Sequence, residues 1–248
     1  MTFSLLLHAL DPKPDRKALE EILVGVSSIT RADSAGILSD WFGIVSSGLS
    51  IQDAHAFQTG LRTLGCESDI VPDDEIPALH SDFRCHIIDL DAENITLTTA
   101  MNRRQHRSRS ELVFAAAGVV ERARQESDYE MQTEVRYTHN GAYTVPVEKR
   151  ISKTVEKDYF RIDLFFANAP HRVSLEMDKD SVILYGDRHI RLRNTTELTV
   201  LMCDLQTLLP PDRQNLALRT LSTEPLYPSL HGYEEEIRWM FYLLGAKG

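Results

Sequence analysis

The chain of 248 residues has three cysteines, Cys66, Cys85 and Cys203, far apart and without a CxxC spacing. An odd number of scattered thiols fits reduced, buried cysteines better than a disulfide framework or a zinc site, and points to an intracellular setting. It also lacks a long hydrophobic run: residues 112–120 fall far short of the ~20 apolar residues a spanning helix needs, so no membrane span is expected. The apolar opening, residues 1–10, has no basic flank and runs into Asp11-Pro12-Lys13-Pro14, so it reads as a strand and not as a signal peptide, which places the protein in the cytoplasm. No GxSxG, HExxH, P-loop or GxGxxG occurs, and so no catalytic residue and no cofactor is implied. Positive charge is short as well. A formal net charge of -10 argues against a duplex-DNA binder, whose affinity comes from neutralising phosphates.

Against that acidic average, Arg103, Arg104, His106, Arg107 and Arg109 crowd together. Guanidiniums so close repel one another, and each can grip a phosphate or carboxylate bidentately. Arg103, Arg104, Arg107 and Arg109 are therefore the candidate site for a small anion or an acidic protein partner. The competing reading is a charged strand edge that suppresses sheet-to-sheet association. RNA is disfavoured, because residues 102–110 hold no aromatic side chain for base stacking.

Periodicity divides the chain in two. Residues 3–10 form an apolar run of strand length. Asp15 then caps a helix with Ala18, Leu19, Ile22 and Leu23 on one face. Short apolar pieces at 26–29 and 41–45 predict two strands, with a Ser-, Asp- and Gly-containing turn between them. Ser50 with Asp53 begins a second helix carrying Ala54, Phe57, Leu61 and Leu64, which Gly65 ends before a last strand at 66–71. The order βαββαβ over residues 1–79 resembles ferredoxin-like modules, ACT-like ones among them. In amino-acid-binding ACT domains a glycine-containing turn usually follows the first strand, whereas Asp11-Pro12-Lys13-Pro14 stands there, which argues against amino-acid sensing.

The proline- and acid-rich residues 71–77 mark a linker. Residues 80–248 then turn to strands at 83–90, 95–100, 129–137, 143–147, 159–166, 172–177 and 181–185, with Asp91 to Asn94 and Asn140-Gly141 as hairpin turns. Asn194 with Glu197 caps a helix carrying Leu198, Leu201, Met202, Leu205, Leu208 and Leu209, stopped by Pro210-Pro211. A terminal helix sets Tyr233, Ile237, Met240, Phe241 and Leu244 on one stripe. Trp239 lies off that stripe and with Tyr242 widens the apolar surface, so these two residues are the candidate interface to the other module or to another subunit.

Strands followed by a closing helix, over about residues 80–210, resemble a pleckstrin-homology-like (PH-like) barrel. The stretch Arg109-Ser110-Glu111-Leu112-Val113-Phe114-Ala115-Ala116-Ala117-Gly118 and the blocks Arg161-Ile162-Asp163-Leu164-Phe165-Phe166 and Glu235-Glu236-Ile237-Arg238-Trp239 are similar to those of some bacterial proteins of unknown function. The resemblance implies an α+β fold: a ferredoxin-like module followed by a PH-like antiparallel barrel with C-terminal helices. The acidic turn Asp91-Ala92-Glu93-Asn94 stands where lipid-binding PH domains carry basic residues. His80, Asp82, Cys85 and His86 are metal-ligand types, but strand alternation sends Cys85 and His86 to opposite faces, so no metal is expected. The histidines His171, His189 and His231 sit near element ends and carry no general-base signature. The expected function is a non-enzymatic binding or scaffold protein. The alternative is a small-anion or metabolite sensor acting at the arginine cluster or the inter-module cleft, with an enzyme third.

Overall fold

The structure is a computed structural model and describes residues 1–138, 141–167, 169, 171–177, 183–186, 190–192 and 195–246. Strand β1 (Phe3–Leu7) leads to helix α1 (Arg16–Val24), helix α2 (Arg31–Ser39), strand β2 (Ile44–Leu49), helix α3 (Ile51–Thr63) and strand β3 (Ser68–Pro72). The caps are those the sequence predicts. Asp15 accepts from the Lys17 and Ala18 amides, Ser50 from Asp53, and α3 ends where Gly65 takes φ +77°.

One expectation fails here. Residues 26–29 are not a strand. The Val26 amide bonds back to Leu23, and Thr30 and Asp33 exchange hydrogen bonds in a capping box that starts α2. The first sheet therefore has three antiparallel strands, ordered β2-β1-β3.

The chain continues through β4 (Asp82–Cys85), β5 (Ile87–Leu90), β6 (Asn94–Thr98) and β7 (Arg104–Ser108). Two long strands follow, β8 (Leu112–Thr138) and β9 (Gly141–Phe166), and then β10 (Arg172–Met177), β11 (Leu184–Tyr185) and β12 (Ile190–Arg191). Helices α4 (Thr195–Gln206) and α5 (Leu216–Thr220), strand β13 (Pro225–Tyr227) and helix α6 (Leu230–Ala246) complete it. The expected strand at 83–90 divides at His86, where the chain passes from the second sheet (β13-β8-β9-β10-β4) to the third (β12-β11-β5-β6-β7). The expected antiparallel pattern is also incomplete. The pairs β4–β10, β5–β11 and β8–β13 are parallel, since β4, β5 and β13 meet strands distant in sequence. Residues 139–140, 181–182, His189 and Asn194 lie outside the described residues, and with them half of the predicted turn, the start of one strand and one helix cap. Among the described residues no helix is long and apolar enough to cross a membrane.

Packing runs in layers. Leu5 and Leu7 face α1 and α3, whereas Leu6, Ile44 and Val71 face α6 together with Phe114, Ala116 and Phe165 of the second sheet. Helix α6 is thus held between the first and second sheets. On the far side of the second sheet, Ala115, Ala117, Phe160, Ile162 and Leu164 meet Ile88, Ile95 and Leu97 of the third sheet, with Leu198, Leu201, Met202 and Leu205 of α4.

Strands β8 and β9 run on past this body. Their ladder is unbroken from Glu121↔Asp158 to Thr138↔Gly141, about 55 Å at roughly 3.3 Å per residue. The pieces predicted at 129–137, 143–147 and 159–166 belong to this one ribbon. Strand β13 pairs only at Val119 and Val120 and β10 only at 160–164, so the described residues place no third strand beside the ribbon beyond them.

Candidate functional site

The four arginines do not converge. Strand β7 is the edge of the third sheet, paired with β6 alone. Arg103 and Arg104 are exposed at its start, and alternation sends Arg107 to the opposite face from Arg104, with its guanidinium carbon 5.9 Å from the centre of the Phe166 ring. Arg109 opens a 3-10 turn (Arg109–Glu111), and its amide donates to the Glu93 carbonyl at 2.9 Å. The neighbouring Asp91 carboxyl is held below its usual range by the Glu93 and Asn94 amides, with a smaller contribution from Arg109. The acidic hairpin turn therefore meets one arginine of the cluster inside the chain.

Trp239 and Tyr242 face the N-terminal module. The Trp239 indole N–H donates to the Leu7 carbonyl at 2.7 Å, and its ring covers Gly43, where a Cβ would come within 2.3 Å of it. Tyr242 packs at the edge of the same core. Burial pushes its phenol up, with Glu75 and Asp69 of the first module adding to the effect.

Two of the four metal-ligand types at 80–86 have other places in the fold. Cys85 lies in the core between the second and third sheets, and Asp82 belongs to an ion cluster; among the described residues no trio of His, Cys, Asp or Glu is placed to hold a metal. Burial pushes the Cys85 thiol up to about 11. At pH 8 it should alkylate roughly two orders of magnitude more slowly than an ordinary cysteine, and at the ordinary rate once unfolded. Mass spectrometry of iodoacetamide-treated native and denatured protein measures the difference.

Sequence reasoning missed the ion cluster beneath α6. Arg161 and Asp163 share one face of β9, a position that alternation alone would give to solvent, yet α6 covers both. Arg161 donates to Asp163 through Nε at 2.7 Å and Nη2 at 3.1 Å, to Glu176 at 2.8 Å, to Asp82 at 2.9 Å and to Ser174 at 3.0 Å. Arg172 binds Asp82 at 2.5 Å and Glu234 on α6. Burial pushes the Asp82 carboxyl up, but Arg161 and Arg172 outweigh it and hold the group below its usual value. All three nitrogens of the Arg161 guanidinium are engaged by the chain itself, and the cluster reaches α6 through the Arg172–Glu234 pair. A second buried set joins Glu236 to the Tyr227 hydroxyl at 2.5 Å and the Leu216 amide at 2.6 Å, with Asn215 bridging Tyr227 to the β8 backbone.

A cavity lies between the first sheet with α2 and helix α6. It has a volume of about 430 Å³ and is walled by Asp33, Gly36, Ile37 and Asp40 of α2 and its C-terminal end, by Ile44, Val45, Ser46 and Ser47 of β2, and by His231, Glu235 and Arg238 of α6. Arg238 donates to Glu235 at 2.7 Å and to the Pro77 carbonyl at 3.2 Å, and His231 Nε2 stands 4.0 Å from Glu235. Burial pushes the Glu235 carboxyl up in spite of these two basic neighbours. The cavity lies between residues of 1–79 and helix α6, and it gathers polar groups over an apolar floor. A smaller cavity of about 230 Å³ is lined by Val113, Phe165, Phe166, Phe241, His80 and His171, with His171 Nδ1 2.8 Å from the Ser81 hydroxyl. No third group orients that exposed pair among the hydrogen bonds of the described residues, so it falls short of a nucleophile–base–orienter arrangement.

The chain matches no family model, no curated protein and no solved structure.

Proposed function

We propose that the chain is a non-enzymatic binding or scaffold protein of the cytoplasm that meets a protein partner along the β8–β9 ribbon. The ribbon carries this reading. Among the described residues no third strand pairs with this ladder beyond the body; a two-stranded ladder is marginal in water, and its outer edges offer backbone donors and acceptors to whatever pairs with them. Two five-stranded sheets around a shared core, with α4 packed into it, support the PH-like reading of residues 80–248. The three strands with α1 and α3 support a ferredoxin-like reading of residues 1–79, one strand short. On this view the layered body is a platform, and Arg103 and Arg104 both guard the β7 edge and remain open to an acidic partner.

The test places a photo-crosslinking residue at Thr133 in the ribbon and, as a control, at Val24, which is 84% exposed on α1. Discrete covalent adducts in cells from Thr133 and not from Val24 are expected. Replacing residues 122–157 by a two-residue Asn-Gly turn should leave a folded body whose melting temperature moves by only a few degrees, because the residues described in the three cores come from the segments before and after this stretch. Absence of ribbon adducts, or turnover on a hydrolase and transferase panel abolished by a point mutation in either cavity, overturns the reading. The cavity of about 430 Å³ favours a second one, a metabolite sensor whose ligand binds between the modules.

A further inference from the structure

We propose that the cleft between α2, β2 and α6 binds a small organic cation, a primary amine or a guanidine. The inference rests on the metabolite-sensor reading of this cleft and fixes the sign of its ligand. The walls carry three carboxylates, Asp33, Asp40 and Glu235, against one guanidinium and the His231 imidazole, with Asp33 already accepting from the Thr30 amide. That guanidinium is already committed to Glu235 and to the Pro77 carbonyl, which leaves it poorly placed to receive an anion. Asp40 spends one oxygen on the Ser229 hydroxyl at 2.8 Å, and its Oδ1 is buried with no hydrogen-bond partner among the described residues. A buried carboxylate oxygen without a donor is unfavourable, and a cation in the adjacent cavity supplies the positive field it lacks. The side chain of Glu235, only 7% exposed, adds a second carboxylate at the same wall. Ile37, Ile44 and Val45 give an apolar floor suited to a methylene chain and not to a hydrated metal ion. Because the walls come from both modules, bound ligand would tie α2 to α6.

Titration calorimetry of the full chain with 1,4-diaminobutane and 4-aminobutylguanidine, and separately with succinate and inorganic phosphate, tests the proposal. Saturable binding of an amine is expected, weakened at least about tenfold by Glu235→Gln, since one facing charge is lost. Gly36→Leu is the second variant. A Cβ at Gly36 meets nothing within 4 Å, and leucine is a strong helix former, so the chain should fold while the added side chain occupies the cleft and abolishes amine binding. Amine binding indifferent to Gly36→Leu overturns the proposal. Anion binding sensitive to Gly36→Leu also overturns it and leaves the sensor reading standing, whereas no binding of either sign overturns both.

Discussion

Arg161→Ala is expected to destabilise the protein by about 3–5 kcal/mol, the range for removing one partner from a buried ion cluster. The side chain is fully buried and engages Asp163, Asp82, Glu176 and Ser174, so its removal strands the fully buried Asp163 carboxylate and takes a partner from the half-buried Asp82 and Glu176. Urea denaturation measures the loss. The double variant Arg161→Met with Asp163→Asn should recover a large part of it, because replacing a buried ion pair by groups of similar volume is often nearly neutral. A loss below about 1 kcal/mol in the single variant, the scale of an exposed pair, would show that Arg161 is not the buried centre of the cluster.

The pH dependence carries a sign. In the wild type the folded Asp82 carboxyl lies below its usual value, so its contribution is present above the unfolded value near 3.9 and disappears as pH falls through the lower folded value. Without Arg161, burial acts on Asp82 against a single remaining neighbour, Arg172. The folded variant then takes up protons more readily than the wild type, and the gap between the two proteins should narrow as pH is lowered from 7 toward 4. A gap that widens on acidification would contradict the role assigned to Asp82.

Local signals in this sequence were legible where the burying surface is close in the chain. Asp15, Ser50 and Gly65 mark helix ends by hydrogen bonds made within a few residues, and the stripes of α4 and α6 follow from the helical period. Helix α2 was not legible, because Arg31–Ser39 has no strong apolar stripe and its capping box reads equally well as a turn. The ribbon was legible only in pieces, since charged residues interrupt its alternation and nothing local fixes the register from Glu121↔Asp158 outward. The burial of Arg161 and Asp163 was not legible, because the helix near them begins as far along the chain as Leu230. The cleft could be named but not built. Asp40 and Glu235 meet only once α2 and α6 are packed. The arginine cluster gained the most from the fold, since its place on the edge strand gives the charge run a physical role beside any partner.

Trp239→Ala should cost about 3–5 kcal/mol, the usual range for truncating a large buried aromatic, and should act on both modules together. The indole is buried between the first sheet and α6, its N–H satisfies the Leu7 carbonyl, and its ring occupies the space left by the missing side chain of Gly43. Gly43 takes φ +97°, which side-chain-bearing residues rarely adopt, so the contact depends on glycine twice over, for its backbone and for its lack of a Cβ. Gly43→Ala is accordingly expected to destabilise as well, while Trp239→Phe retains much of the packing and should cost about 1–3 kcal/mol through the lost indole donor and the smaller ring. Calorimetry distinguishes an internal strut from a partner-facing aromatic. A strut gives one cooperative transition in the wild type that shifts by roughly 6–20 °C in Trp239→Ala, at about 2–4 °C per kcal/mol for a chain of this size. An aromatic that served only another molecule would leave that transition in place, and the terminal helix would then have to be reassigned from the seam between the modules to the outer surface.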